Sequence, residues 1–262
     1  MPTDLTALTE LIILCGHATF TGSGRADITS EASWLLQPFQ RSNPLTGKRS
    51  EHETFISHIL TATFAAASRP QALLIFSGGR TTTASSRTEA QGYEAVHLGL
   101  GDPFDIEERY AREDWATDSL QNLLFSILRF RQMVGVYPKE VTVVTHAFKR
   151  ERVLGAHARA LRWPEGGIRV VGVDPPFTER EFEEAREGER GAREAFERDK
   201  YGRLEPLAGK RRVRGFEPDK VERFFADVEC EARELLRYSS RDDEGLTLPE
   251  RFPWEEREGA GE

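Results

Sequence analysis

The sequence predicts a doubly wound α/β fold: a mainly parallel sheet with helices on both faces, followed by a charged helical C-terminal extension. Two observations carry this. Short runs rich in Ile, Val and Leu, bounded by Gly, Pro or polar turns, alternate with apolar residues at helical spacing as far as Asp174. Charge density then rises, from 18 basic and 19 acidic residues over 1–175 to 18 and 25 over the remaining third. Asp174-Pro175-Pro176 therefore divides a sheet domain, 1–175, from an extension, 176–262.

Residues 11–15 form the first apolar run and read as a buried strand. Phe55, Ile56, Ile59, Leu60 and Phe64 then recur at helical spacing, and 72–77 gives the second strand. Residues 95–100 fit strand or helix. Asp102-Pro103-Phe104-Asp105 reads as the capped start of a helix rather than as paired working carboxylates. Leu120, Leu123, Leu124, Ile127 and Leu128 make the next helix, with Thr117, Asp118 or Ser119 as its N-cap. Strand 141–145, a helix through Val153, His157, Ala160 and Leu161, and strand 168–173 complete the domain. Strand, helix, strand alternation of this kind builds parallel sheets through right-handed crossovers. In the extension, 178–198 reads as a solvated helix or a partner-binding arm. Val221, Phe224, Phe225, Val228, Ala232, Leu235 and Leu236 give one apolar stripe, predicting a single helix over 221–236 that docks on the domain. Residues 241–245 and 255–262 read as frayed ends.

Composition narrows the function classes. With 36 Lys and Arg against 44 Asp and Glu, the formal charge is -8, which argues against nucleic acid or anionic membranes as partners. No run approaches the roughly 18 apolar residues of a spanning helix. Residues 1–11 lack the basic start and long apolar middle of a secretory signal. A soluble, cytoplasmic protein is expected. Two cysteines, Cys15 and Cys230, make no disulfide framework, and CxxC, HExxH and GxSxG are all absent, so no metal is expected. Thr46-Gly47-Lys48-Arg49-Ser50 lacks the leading glycine of a phosphate-binding loop and the hydroxyl residue directly after its lysine.

Ligands of doubly wound sheets bind beyond the carboxyl ends of the strands, so the residues after each strand are the candidates. After the first stands His17 in a small-residue loop, readable as general base, ligand-orienting imidazole or structural cap. After the second come Ser77, Gly78, Gly79 and Arg80, then Glu89; the glycines free backbone N–H groups, and Arg80 suits an anion. The full GxGxxG pattern is missing, and so is the acid usual at the end of a cofactor domain's second strand. Glu113 and Asn122 are polar beyond what capping the Leu120 helix needs, with Ser119 between them. After the fourth strand, Thr145, His146, Lys149 and Arg152 bring an imidazole and cations to a strand-to-helix junction, where phosphate or carboxylate is held.

Ser77-Gly78-Gly79 with Thr88-Glu89-Ala90, Glu113 with 116–122, and Thr145 with Arg152 together resemble the domain-of-unknown-function family of the bacterial YdcF, SanA and ElyC proteins. The likeness covers about residues 8–175 and is nearest to a fungal cytosolic branch, which shares Tyr201-Gly202, Lys210-Arg211 and Leu248-Pro249. The resemblance implies a Rossmann-like domain with its shared polar residues at the strand ends. It also implies S-adenosylmethionine binding as in YdcF-like members, or polysaccharide-related roles as in SanA and ElyC. Ser119, Gln121 and Lys149 stand where the bacterial pattern has Thr, Glu and His, so a bacterial acid/base mechanism does not transfer.

The expectation is a small-molecule site for an anionic or nucleotide-like ligand, S-adenosylmethionine being the first candidate. The alternatives are a hydrolase of phosphorylated or glycosylated metabolites, with Glu113 or His146 as general base, and a non-catalytic scaffold that recruits a protein through its acidic tail.

Overall fold

The computed structural model describes residues 5–106, 108–241, 243 and 245–255. Its sheet is parallel and five-stranded, in the order β5-β4-β1-β6-β7, from β1 (Glu10–Cys15), β4 (Ala72–Ser77), β5 (Tyr110–Glu113), β6 (Glu140–Thr145) and β7 (Ile168–Gly172). The first strand in the chain is thus central, and chain order reverses between β1 and β6, the switch point where such sheets open a crevice. Two short strands, β2 (Thr19–Phe20) and β3 (Trp34–Leu35), pair antiparallel in the β1-to-β4 connection.

Alternation along β1 supplies both cores. Ile12 and Leu14 face α1 (His52–Ala67) and α2 (Glu89–Gly99), packing with Phe55, Ile59, Tyr93 and Val96. Leu11, Ile13 and Cys15 face α3 (Ser119–Val134) and the π-helix Arg152–Ala158, packing with Leu120, Leu124 and Ile127. On that second face the same core continues into the extension: α4 (Glu179–Arg198), α5 (Leu207–Val213), α6 (Pro218–Phe224) and α7 (Cys230–Ser240) contribute Phe196, Leu207, Val221, Ala232, Leu235 and Leu236. No described helix is long and apolar enough to cross a membrane.

One open alternative is resolved and three local expectations are corrected. Residues 95–99 belong to α2, because Thr88 caps it with Oγ1 accepting from Gln91 N at 3.0 Å and the helix runs on to Gly99. The fifth strand is Tyr110–Glu113 instead. Asp102 starts no helix: its backbone has φ +43° and its Oδ2 accepts from Ile106 N at 3.1 Å, which stabilises a turn. The stripe over 221–236 is two helices, broken so that Phe225 and Val228 both enter the core. Gln132 of α3 compensates for the break, its Nε2 donating to Phe224 O at 2.8 Å and Asp227 Oδ1 at 2.6 Å. Arg241 is not frayed, since it pairs with Glu222 and Asp219. Of the predicted C-terminal fray, residues 256–262 lie outside the described residues.

Candidate functional site

A cavity of about 740 Å³ opens at the switch point. Gly16 and His17 continue β1 into it, and Thr145, His146 and Lys149 continue β6. α2 enters from the side with Glu89, and glycine is what permits this. A Cβ on Gly16 would fall 2.7 Å from Glu89 Cβ and Oε2, and one on Gly78 2.9 Å from the same atoms. Glu89 Oε1 accepts from Thr81 Oγ1 at 2.6 Å, and burial raises its carboxyl above the usual range.

Two imidazoles, His17 and His146, lie on the floor, and His58 packs against both. Ring centroids of His17 and His146 are 4.5 Å apart, those of His58 and His146 4.9 Å, and those of His17 and His58 5.4 Å. His58 Nε2 lies 2.7 Å from Val173 O, so that nitrogen carries the proton. His17 sits between Thr145 Oγ1, 3.2 Å from Nε2, and Lys149 Nζ, 3.3 Å from Nδ1. His146 is 2 % exposed, and neither of its ring nitrogens has a hydrogen-bond partner; Glu51 Oε2 lies 3.9 Å from its Nε2. Burial, with the Lys149 charge behind it, holds His17 and His146 well below the ordinary imidazole range, so both are neutral at pH 7. Burial, reinforced by Arg152, lowers Lys149 to about 8.

The extension builds the opposite wall. α4 presents Ala185, Gly188, Ala192 and Ala195, whose small side chains leave the space open, and α5 brings Lys210 to the rim with Arg214 beyond it. Lys210 Nζ has no partner among the described residues, whereas Arg214 donates to Thr117 O at 2.6 Å. Arg152 is 8 % exposed, and its Nε donates to Glu189 Oε1 of α4 at 2.9 Å. Phe39, Phe148 and Phe177 add aromatic surface.

The predicted residues divide into wall and support. His17, Glu89, Ser119, Asn122, Thr145, His146, Lys149 and Arg152 line the cavity, while Ser77, Gly78, Gly79, Arg80 and Glu113 do not. Glu113 as general base is corrected: its Oε1 accepts from Trp115 N at 2.6 Å and Ala116 N at 3.0 Å, fully buried behind the wall. Burial pushes its carboxyl up to about 7, against these hydrogen bonds. Ser77 Oγ stands 2.7 Å from Glu113 Oε2 and 3.0 Å from Asn122 Oδ1. Ser77 has one proton for two acceptors, which is satisfied by a protonated Glu113 donating to Ser77, or by an Asn122 amide turned to donate through Nδ2. Gly79 is a packing glycine, since a Cβ there would fall 2.8 Å from Ala116 O. Arg80 turns away to the exposed loop, its Nε donating to Ser85 O at 2.8 Å. Arg152 lies not in an open cleft but in a buried ion pair. Ser119 Oγ lies 2.8 Å from His157 Nε2, and Asp118 is the N-cap of α3, held by Arg211 Nε at 2.6 Å.

Sequence reasoning missed Glu51, Lys48 and Arg214 as wall residues, because they lie in segments with no strand end to point at them. Lys210 carried a signal only through the family resemblance. Among the described residues, no group of three or more His, Cys, Asp or Glu is arranged to hold a metal ion.

No family model matches the chain, and no solved structure matches it. A Saccharomyces cerevisiae protein described as the uncharacterized protein YOR238W is 26% identical over 204 residues, 63% of this chain and 67% of its own length.

Proposed function

We propose that this protein binds an anionic or nucleotide-like small molecule in the cavity at the carboxyl edge of the sheet, and that it is a cytoplasmic relative of the YdcF-like family. The observation that carries the reading is convergence: Lys149 from the sheet edge and Lys210 from the extension face one cavity, and neither is neutralised by an ion pair. Cations held in no ion pair in a concave site favour an anion, even where carboxylates such as Glu51 and Glu189 stand in the same walls. S-adenosylmethionine is the first ligand to try, because its carboxylate suits Lys149 while Glu89 and Glu51 suit its ammonium and ribose hydroxyls. Thermal-shift screening against S-adenosylmethionine, nucleotides and sugar phosphates tests the proposal. A ligand at about 100 times its dissociation constant adds about 2.7 kcal/mol of stability. A panel with no shift would leave the protein-recruiting scaffold as the better account.

His146 favours a second reading. A neutral, partnerless imidazole on the wall is placed to take a proton from water, as a hydrolase of phosphorylated or glycosylated metabolites requires. Turnover of such substrates, lost in His146→Asn but kept in Glu113→Gln, would establish it.

A further inference from the structure

His146 is the least satisfied polar side chain of the cavity floor, and its surroundings restrict what it can be waiting for. Phe148 stacks on it at 4.9 Å between centroids and Phe55 meets it edge-on at 6.0 Å. The charged and titratable groups that face it are His17 from the β1 loop, His58 and Glu51 from α1 and its N-cap, Lys149 and Arg152 from the segment after β6, and Glu189 from α4 through Arg152. Glu189 already engages Arg152, which leaves Lys149, itself lowered to about 8, as the one cation outside an ion pair at the floor among the described residues, beside two neutral imidazoles. Such a floor gains further positive charge only by taking up protons. A carboxylate or a phosphodiester brings one negative charge, whereas a phosphomonoester near pH 7 brings close to two, on three acceptor oxygens.

Resting on the anion reading above, we propose that the ligand is a phosphomonoester whose dianionic phosphate docks against His146 and Lys149, with a proton taken up from solvent onto the imidazole pair of His146 and His17. Glu51, 3.9 Å from His146, is placed to steady the imidazolium so formed. No bond of the ligand is made or broken: the imidazole nitrogen's lone pair takes a proton released by solvent, and the N–H so formed is a second charged donor to the phosphate.

Calorimetric titration of the full chain with AMP, glucose 6-phosphate, the methyl phosphodiester of AMP and S-adenosylmethionine tests this, in two buffers of different ionisation enthalpy. We expect at least one monoester to bind with net uptake of about half a proton to one proton at pH 7.5, and about tenfold more tightly at pH 6.5 than at pH 8.5. Acidification itself protonates the free phosphate, so a gain of that sign must come from the protein. The phosphodiester should bind at least tenfold more weakly. His146→Asn, checked for folding by its melting curve, should lose at least tenfold for the monoester and most of the uptake; Lys149→Met should lose affinity and only the smaller part of the uptake, about a quarter of a proton at pH 7.5, that a lysine titrating at about 8 supplies. The proposal is overturned by equal affinity for monoester and diester, by binding without uptake, or by His146→Asn binding within threefold of the parent. Binding of S-adenosylmethionine but of no monoester would overturn it while leaving the reading of the cavity as a nucleotide-like ligand site intact, and binding of no probe would overturn both.

Discussion

At Glu113 burial outweighs three hydrogen bonds, and the consequence is measurable as a pH dependence of stability. Its folded pKa, about 7, lies above the unfolded value of 4.5, so its contribution is fully present below pH 4.5 and is lost as pH rises through 7. Glu113→Gln should keep the neutral hydrogen-bond pattern and flatten that loss, which amounts to a few kcal/mol at most. Denaturant unfolding of both proteins between pH 5 and 8 checks it; equal slopes would mean that Glu113 is ionised throughout. Arg152 and Glu189 have side chains 10% and 9% exposed, so removing one partner strands the other. Arg152→Ala should cost about 3 kcal/mol, whereas Glu189→Gln, which keeps an acceptor, should cost clearly less. The same denaturation experiment reads both. The sequence indicated which residues gather here but not which of them would be enclosed: Glu113 and Arg152 are polar residues after strand ends, and only packing shows Trp115, Ala116 and α4 closing over them.

Helix α4 is an element whose sequence looks wholly solvated yet whose small residues shape the cavity. A Cβ on Gly188 would meet nothing within 4 Å, although the residue lines the wall. Gly188→Ala should therefore stabilise the protein by about 0.5–1 kcal/mol through helix propensity, and Gly188→Leu should fill the cavity and weaken ligand binding at least tenfold without unfolding the chain. Melting temperature and ligand affinity of the two variants check this pair, and unchanged affinity in Gly188→Leu would place the ligand elsewhere. Apolar periodicity made α1, α3 and the strands β1, β4, β6 and β7 readable. It failed at β5, where Ala111 is the one apolar aliphatic residue among Tyr110, Arg112 and Glu113. It failed also between α6 and α7, where the stripe continues across a break held by Gln132 of the facing helix and by Arg131 and Tyr137 on Glu229.

At the scale of the molecule, the extension shares a core with the sheet domain, and Val221, Phe225, Leu235 and Leu236 are fully buried in it. Cutting the chain after Pro175 should expose the matching face of α3, including Phe125, which packs on Phe216 and Phe225, and yield aggregated or molten material. Light scattering and near-ultraviolet circular dichroism of the truncated chain would detect this; a monodisperse, natively packed 1–175 would contradict it. The charge step at Asp174 thus marks a change of surface character, and the hydrophobic core runs across it. The central place of β1 has a consequence for synthesis. A strand of five consecutive buried residues, Leu11 to Cys15, emerges first, but its two hydrogen-bonding partners are β4 and β6, the latter about 130 residues later. Until residue 145 has left the ribosome, β1 has at least one unpaired edge of the kind that pairs with other chains. Ribosome-bound nascent chains halted before β6 should therefore recruit a holdase chaperone at residues 11–15, and chains halted after β7 should release it.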